Sequence, residues 1–320
     1  MSIDKRSGVS WSTISKLSGV TKADVSKVSG VSAPVAFSNT KSLSTDGVND
    51  YFEISLASDI IPHTAGSISY WVKVASDEQG TVRFFSIFDA SQTTSGRIDM
   101  MFFGQSGTTV KGLIATYRDE ISDGTFSGRF CATRTGSSHL GKAWNRITSD
   151  HGDFGSASES MYNAANMRGV WKHVVLTWDT SASYTNPSTS VTYSGAMKIY
   201  VDGILRGEGQ STFPSHNSTG TSHDLVGIDS GTVFDTIRIG ANFNGAQHMD
   251  ALIDEWALFD KVLNASEVSN IYNSGVPADL SGESDLIGWW RFEDDTSDSS
   301  SNSNSGTLTN GATYSSTTPS

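Results

Sequence analysis

From about Ala36 onward, short apolar runs are broken by Gly, Ser, Thr, Asn and Asp, a pattern that predicts many β-strands joined by turns. Strands are predicted over Phe52–Leu56, Ser67–Val74, Val82–Phe88, Ile98–Phe103, Gly112–Tyr117, Trp171–Trp178, Met197–Val201, Thr236–Ile239 and Asp250–Leu258. In the second of these, Ile68, Tyr70, Val72 and Val74 share one face, as a half-buried strand requires. One stretch has helical spacing instead. Asn264 is an N-cap with Glu267 three residues on, Val268, Ile271 and Tyr272 are its apolar positions, and Gly275 stops it. Residues 118–168 lack a clear period and read as long loops with some short strands. The tail from Ser297 is rich in Ser, Asn, Thr and Gly, which predicts turns and one strand at Gly306–Leu308.

Residues 1–34 follow a different rule. Ile3-Asp-Lys-Arg-Ser-Gly-Val9, Ile14-Ser-Lys-Leu-Ser-Gly-Val20 and Val25-Ser-Lys-Val-Ser-Gly-Val31 recur at an offset of 11 residues. No unit can bury its own apolar side, so Ile14, Leu17, Val20, Val25, Val28 and Val31 need a partner surface or neighbouring copies. The segment reads as an anchor; the alternative is a flexible linker with accidental repetition. The organisation expected is a repeat anchor over 1–34 and a sandwich over 35–320.

Composition narrows the function. A chain of 320 residues, 36% hydrophobic and 10% aromatic, holds enough apolar matter for a sizeable core. Net charge of −12 and a pI near 4.9 argue against a nucleic-acid surface, which needs clustered Lys and Arg. Cys131 is the only cysteine, which rules out an intrachain disulfide. No apolar run follows Met1–Gly8, and nothing approaches the roughly 18 consecutive apolar residues of a membrane span. The expectation is a product made in a cytosol, with no membrane and no nucleic-acid partner.

Four segments carry a resemblance. Leu43-Ser-Thr-Asp-Gly-Val-Asn-Asp-Tyr-Phe-Glu-Ile54 is a strand-turn-strand with its turn at Asp46-Gly47. Gly169–Asp179 followed by Met197–Leu205 gives paired strands with a hairpin turn at Asp202-Gly203. Ala251–Asn264 is a strand leading into the helix, and Leu286–Asp295 with the turn Asp298–Gly306 completes the set. Together they resemble the concanavalin A-like, laminin-G-like superfamily, especially its phage and microbial members. The resemblance implies an all-β, antiparallel two-sheet jelly-roll sandwich. The fourth segment is displaced, since in many relatives it precedes the first; residues 280–320 would complete either this sandwich or a neighbour's.

Candidate chemistry is sparse. Hydrolases on this scaffold need paired carboxylates, and the near match is Asp250, Asp254 and Glu255, where strand alternation puts Asp250 and Asp254 on one face and Glu255 on the other. No Gly-x-Ser-x-Gly elbow is present, and His173 and His248 read as structural. The resemblance implies a structural Ca²⁺ held by Asp254, with Asp46 or Glu293 supplying further oxygens. Loop aromatics that could stack on sugars are Tyr117, Trp144, Tyr162 and Tyr184. The expectation is a non-enzymatic virion structural protein (fibre, tail or capsid decoration) in an oligomer, bound to other virion proteins through residues 1–34 and contacting glycans with its head. Its rivals are a purely architectural protein, a glycan-binding adhesin and a hydrolase accessory module.

Overall fold

The structure, a computed structural model, describes residues 16–17, 20–21, 37–78, 80–91, 96–103, 113–121, 125–132, 167–185, 192–209, 211–212 and 232–320. The chain divides into two compact units, Met1–Ser38 and Asn39–Ser320. In the first, β1 (Lys16–Leu17) and β2 (Val20–Thr21) form an antiparallel pair in which Leu17 stands opposite Val20. Ile14, Val25, Val28 and Val31 lie outside the described residues.

The second unit holds two eight-stranded antiparallel sheets. The first takes β3 (Ser42–Asp46), β5 (Ala65–Val74), β10 (Lys172–Thr185), β11 (Thr192–Val201), β12 (Ile204–Gly209), β15 (Asp250–Phe259), β16 (Leu286–Trp290) and β18 (Thr313–Ser315). Its order is β12-β11-β10-β5-β15-β3-β18, with β16 also on β15. The second takes β4 (Tyr51–Ser55), β6 (Thr81–Phe88), β7 (Arg97–Phe103), β8 (Leu113–Ile121), β9 (Thr125–Ala132), β13 (Ser211–Thr212), β14 (Thr236–Ile239) and β17 (Thr307–Thr309), ordered β13-β9-β8-β7-β6-β14-β4-β17. The core between the sheets is aromatic: Phe52, Phe84, Phe85, Trp178, Trp256 and Trp290 are all at or below 1% exposure.

The predicted strands are present, several longer than their apolar runs, because neighbours extend the ladder past the last apolar residue. The helix, α1 (Ala265–Tyr272), begins as predicted. Asn264 Oδ1 accepts from the Ser266 and Glu267 N–H groups, and Glu267 Oε2 accepts from Asn264 N at 2.8 Å. Part of the stretch read as loops is strand, namely the end of β8 and all of β9.

The C-terminal segment closes its own sandwich. β16 pairs with β15, setting Trp290 opposite Trp256; β17 pairs with β4 and β18 with β3, so the tail contributes an outer strand to each sheet where one strand was predicted. The Ser- and Asn-rich turn between them is tied down. Asp298 accepts from the backbone N–H groups of Trp289, Ser300 and Asn304, and Trp290 Nε1 donates to Asn304 O at 2.8 Å. Two glycines make the fit possible: a Cβ on Gly288 would lie 2.3 Å from Trp290, and one on Gly306 would lie 2.2 Å from Phe52.

Cutting the chain after Asp279 removes β16, β17 and β18 and strips Trp256 and Phe52 of their cover. Such a chain is expected to aggregate and to show no cooperative melt by circular dichroism. A monomeric, cooperatively melting product would mean that the tail is dispensable.

Candidate ligand-binding face

The outer face of the second sheet carries the densest constellation of polar and aromatic side chains. It begins with an irregularity in β6, where the register against β7 shifts between Arg83 and Phe85. Phe84 and Phe85 both enter the core, so Arg83, Ser86 and Phe88 are left on the outside. The register then aligns Thr116 of β8, Asp99 of β7, Ser86 of β6, Arg238 of β14 and Glu53 of β4 in one row across five strands. Two neighbouring pairs along it are bonded: Ser86 Oγ donates to Asp99 Oδ1 at 2.5 Å, and Arg238 Nε donates to Glu53 Oε2 at 2.9 Å.

A tied loop, residues 240–249, lies against this row. Asn242 Oδ1 accepts from Asn244 N and Ala246 N, and Gln247 O accepts from Arg83 N at 3.0 Å. Arg238 Nη1 donates to the carbonyls of Asn242 and Phe243 at 3.0 and 2.8 Å. The loop thereby holds the half-buried Phe243 ring 3.9 Å from the Arg97 guanidinium and edge-on to Phe88. Towards the β4 side, Arg238 also lies over Tyr51, whose ring stacks with His248 at 6.3 Å.

Residues 46–269 match the family model of the concanavalin A-like lectin/glucanases superfamily, which is most of the chain. The chain belongs to that superfamily. No curated protein matches it. Among solved structures it is similar to a candidate carbohydrate-binding protein from Bacteroides ovatus ATCC 8483, at 13% identity and a TM-score of 0.45, over 89% of this chain and 61% of that one. It is also similar to the binding domain of botulinum neurotoxin serotype D, at 14% identity and a TM-score of 0.40, over 77% of this chain and 44% of that one. The chain spans less than two thirds of either. At these TM-scores the likeness adds nothing to the superfamily assignment.

Of the predicted sugar-stacking residues, only Tyr117 has a described side chain, and it is not on this face. Tyr117 is fully buried in β8 on the core side, and its hydroxyl donates to His63 O, so it is a core aromatic and no loop platform. Tyr184 falls in β10, opposite Tyr193. Its side chain, Trp144 and Tyr162 lie outside the described residues. The residues that do line the face, Arg83, Arg97, Asp99 and Phe243, escaped sequence reasoning. The alternation in Arg97–Phe103 was a signal that β7 turns Arg97 and Asp99 to one side, but nothing in the sequence joins them to Phe243.

The proposed calcium ligands do not meet. Asp46 pairs with Asp250 across the β3–β15 ladder, four residues from Asp254 and about 13 Å along the strand, whereas one Ca²⁺ needs oxygens at roughly 2.3–2.6 Å. Glu293 accepts from Thr40 N and Oγ1 at 2.8 and 2.6 Å, and the Asp254 oxygens accept from Asn39 Nδ2 and Glu255 N, both at 2.9 Å. Among the described residues no group of three or more His, Cys, Asp or Glu has metal-holding geometry. The set therefore does not fit the ion.

Glu255 also departs from the strand alternation. A bulge puts it at φ 48°, and with Ile253 and Trp256 both in the core the two acids between them share the outer side of β15. There Trp289 Nε1 donates to Glu255 at 2.6 Å and Arg291 lies 3.3 Å away. His173 is structural: it is buried, its Nε2 is 2.8 Å from Ser69 Oγ, its ring stacks on Tyr272, and burial pushes it down to about 3.

Burial raises Asp254 well above the usual carboxylate range, with the neighbouring Glu255 charge adding to it. Burial likewise pushes Glu255 up to about 7, against the pull of Arg291. In the unfolded chain Glu255 ionises near 4.5, so between pH 4.5 and 7 the folded state holds the extra proton and stability falls as pH rises. Glu255→Gln is expected to be more stable than the parent at pH 8.5 by roughly 3–4 kcal/mol, at about 1.4 kcal/mol per decade of proton affinity, and to lose that advantage at pH 4.5. Urea unfolding at the two pH values checks this; a pH-independent difference would contradict it.

Proposed function

We propose that this chain is a non-enzymatic glycan-binding jelly roll whose sugar contacts lie on the outer face of the second sheet. The observation that carries the reading is Phe243, a ring fixed half-exposed by a tied loop and flanked by Phe88 and by Arg97, which is paired with Asp99. A pyranose presents an apolar C–H face and a rim of hydroxyls, which such a ring and such polar groups complement. Membership of a superfamily of lectins and glucanases supports the same chemistry.

The spacing of acids favours binding over hydrolysis. Glycosidic cleavage uses two carboxylates about 5–10 Å apart on either side of the scissile bond. On this face Glu53 and Asp99 are separated by three strand spacings, about 14 Å. On the other sheet Asp254 and Glu255 are adjacent and buried at 0% and 4% exposure.

The repeat unit supports a setting. Its 11-residue period and apolar register suit a segment that docks on a partner, and with no nucleic-acid or membrane chemistry the reading is a tailed-phage virion protein made in the host cytoplasm and carried as a homo-oligomer. Many copies of a weak site then hold a glycan surface by avidity. Mass spectrometry of purified virions that never finds the chain would sink this setting and leave the sandwich reading intact.

On a glycan array the intact protein is expected to retain a defined set of oligosaccharides. Phe243→Ala should weaken that binding at least about tenfold with little change in melting temperature. No reducing sugar should be released. An array without a single retained glycan would favour the purely architectural reading, and sugar release would favour a hydrolase.

A further inference from the structure

We infer that the buried part of the polar row is a recognition site for an anionic substituent of a glycan, a carboxylate or a sulfate ester, built from Arg83, Arg97 and the hydroxyl of Thr116. The inference rests on the glycan-binding reading above and specifies the class of sugar. Two guanidinium groups flank a single carboxylate. Arg97 precedes Asp99 by two residues in β7, while Arg83 of β6 stands opposite Met101, two residues beyond Asp99 on the same side. Asp99, at 1% exposure, is shared between Ser86 Oγ and Arg97 Nε, which lies 3.1 Å from Oδ2, within ion-pair range but off the line of a hydrogen bond.

Arg83 is left over. Its Nη1 meets Met101 Sδ at 3.4 Å, its Nε is buried with no acceptor, and among the described residues no carboxylate lies within ion-pair range of it. Burial pushes this guanidinium down from its ordinary value, Asp99 draws it back up, and Arg97 pushes it down again. A guanidinium does not give up its proton in a protein, so the positive charge stays, while Asp99, the carboxylate that acts on it, is already paired with Arg97.

The second, independent observation is Thr116. It stands opposite Asp99 on β8 at 1% exposure, and its Oγ1 has no hydrogen-bond partner. A buried hydroxyl is ordinarily satisfied. A guanidinium with no ion-pair partner among the described residues, a second one off the line of Asp99, and a free hydroxyl all lack the same thing, a group with several acceptor oxygens and a negative charge. Guanidinium groups bind carboxylate and sulfate through paired N–H donors, which makes these oxyanions the matching chemistry. The local excess of cations contrasts with the chain's net charge of −12, so it is not the general character of the surface. Because Arg83 N donates to Gln247 O, the guanidinium side and the loop that presents Phe243 are fixed to each other, so one sugar could stack on the ring while its acidic group reaches the arginines.

The test is titration calorimetry of the full chain with three oligosaccharides of equal length: one of uronic acids, one of sulfated hexoses, and one neutral. At least one anionic sugar is expected to bind about tenfold or more tightly than the neutral one. Which of the two it is identifies the anion. Arg83→Met should abolish the preference and hold or raise the melting temperature, since it removes a largely buried charge that has no ion-pair partner among the described residues. Thr116→Val should reduce the preference in the same direction. Equal affinity for all three sugars, or an unchanged preference in Arg83→Met, would overturn the anionic assignment and leave glycan binding standing. Failure to bind any sugar, here and on an array, would overturn the glycan reading and this inference with it.

Discussion

A β-strand has two faces and one period, so a single extra residue decides which side chains meet the core from that point on. In β6 that residue lies at Phe84–Phe85. Both rings enter the sandwich, where Phe85 meets Trp256 edge-on at 5.7 Å and Phe84 meets Phe102 at 6.4 Å. The phase that results puts Ser86 beside Asp99 and Phe88 beside Phe243 on the outside. Without the bulge, either a second ring would face water or the polar row would break at its centre. The β15 bulge applies the same device with the opposite sign, sending Asp254 and Glu255 outward between two core residues.

Closure of the sandwich depends on the far end of the chain. Leu43 of β3 and Phe52 of β4, one in each sheet, pair with Tyr314 and Leu308 from the tail, so the first and last parts of this unit are paired in both sheets. The long sequence separation of these pairs makes them costly to form and makes the core cooperative once they exist. It also explains why a turn of Ser and Asn is rigid: Asp298 receives three backbone N–H groups and fixes the path from β16 to β17.

The charges beside the two bulges differ. The first sheet's outer side buries Asp254 and Glu255 with Arg291 as the nearby cation, and the fold there retains protons. The second sheet's outer side gathers Arg83, Arg97 and Arg238 against Asp99 and Glu53. Net charge alone reported only the acidic excess, and it concealed this cluster of arginines.

By itself the sequence determined the fold class, most strands, the capped helix and the repeat unit, because all of these follow from local periodicity and local capping chemistry. Tertiary structure decided which strands neighbour which, and therefore the site. Tyr117 looked like a loop aromatic because nothing local shows that β8 is an interior strand of its sheet. Asp46, Asp254 and Glu293 looked like one ligand set because distance along a ladder is invisible in composition. Arg83, Asp99, Thr116 and Phe243 come from four separate elements of the chain, and only the β6 register and the tied loop bring them to one face. Bulges are single-residue events whose position is set by how two sheets pack, which is why alternation predicted the strands correctly and misplaced Glu255.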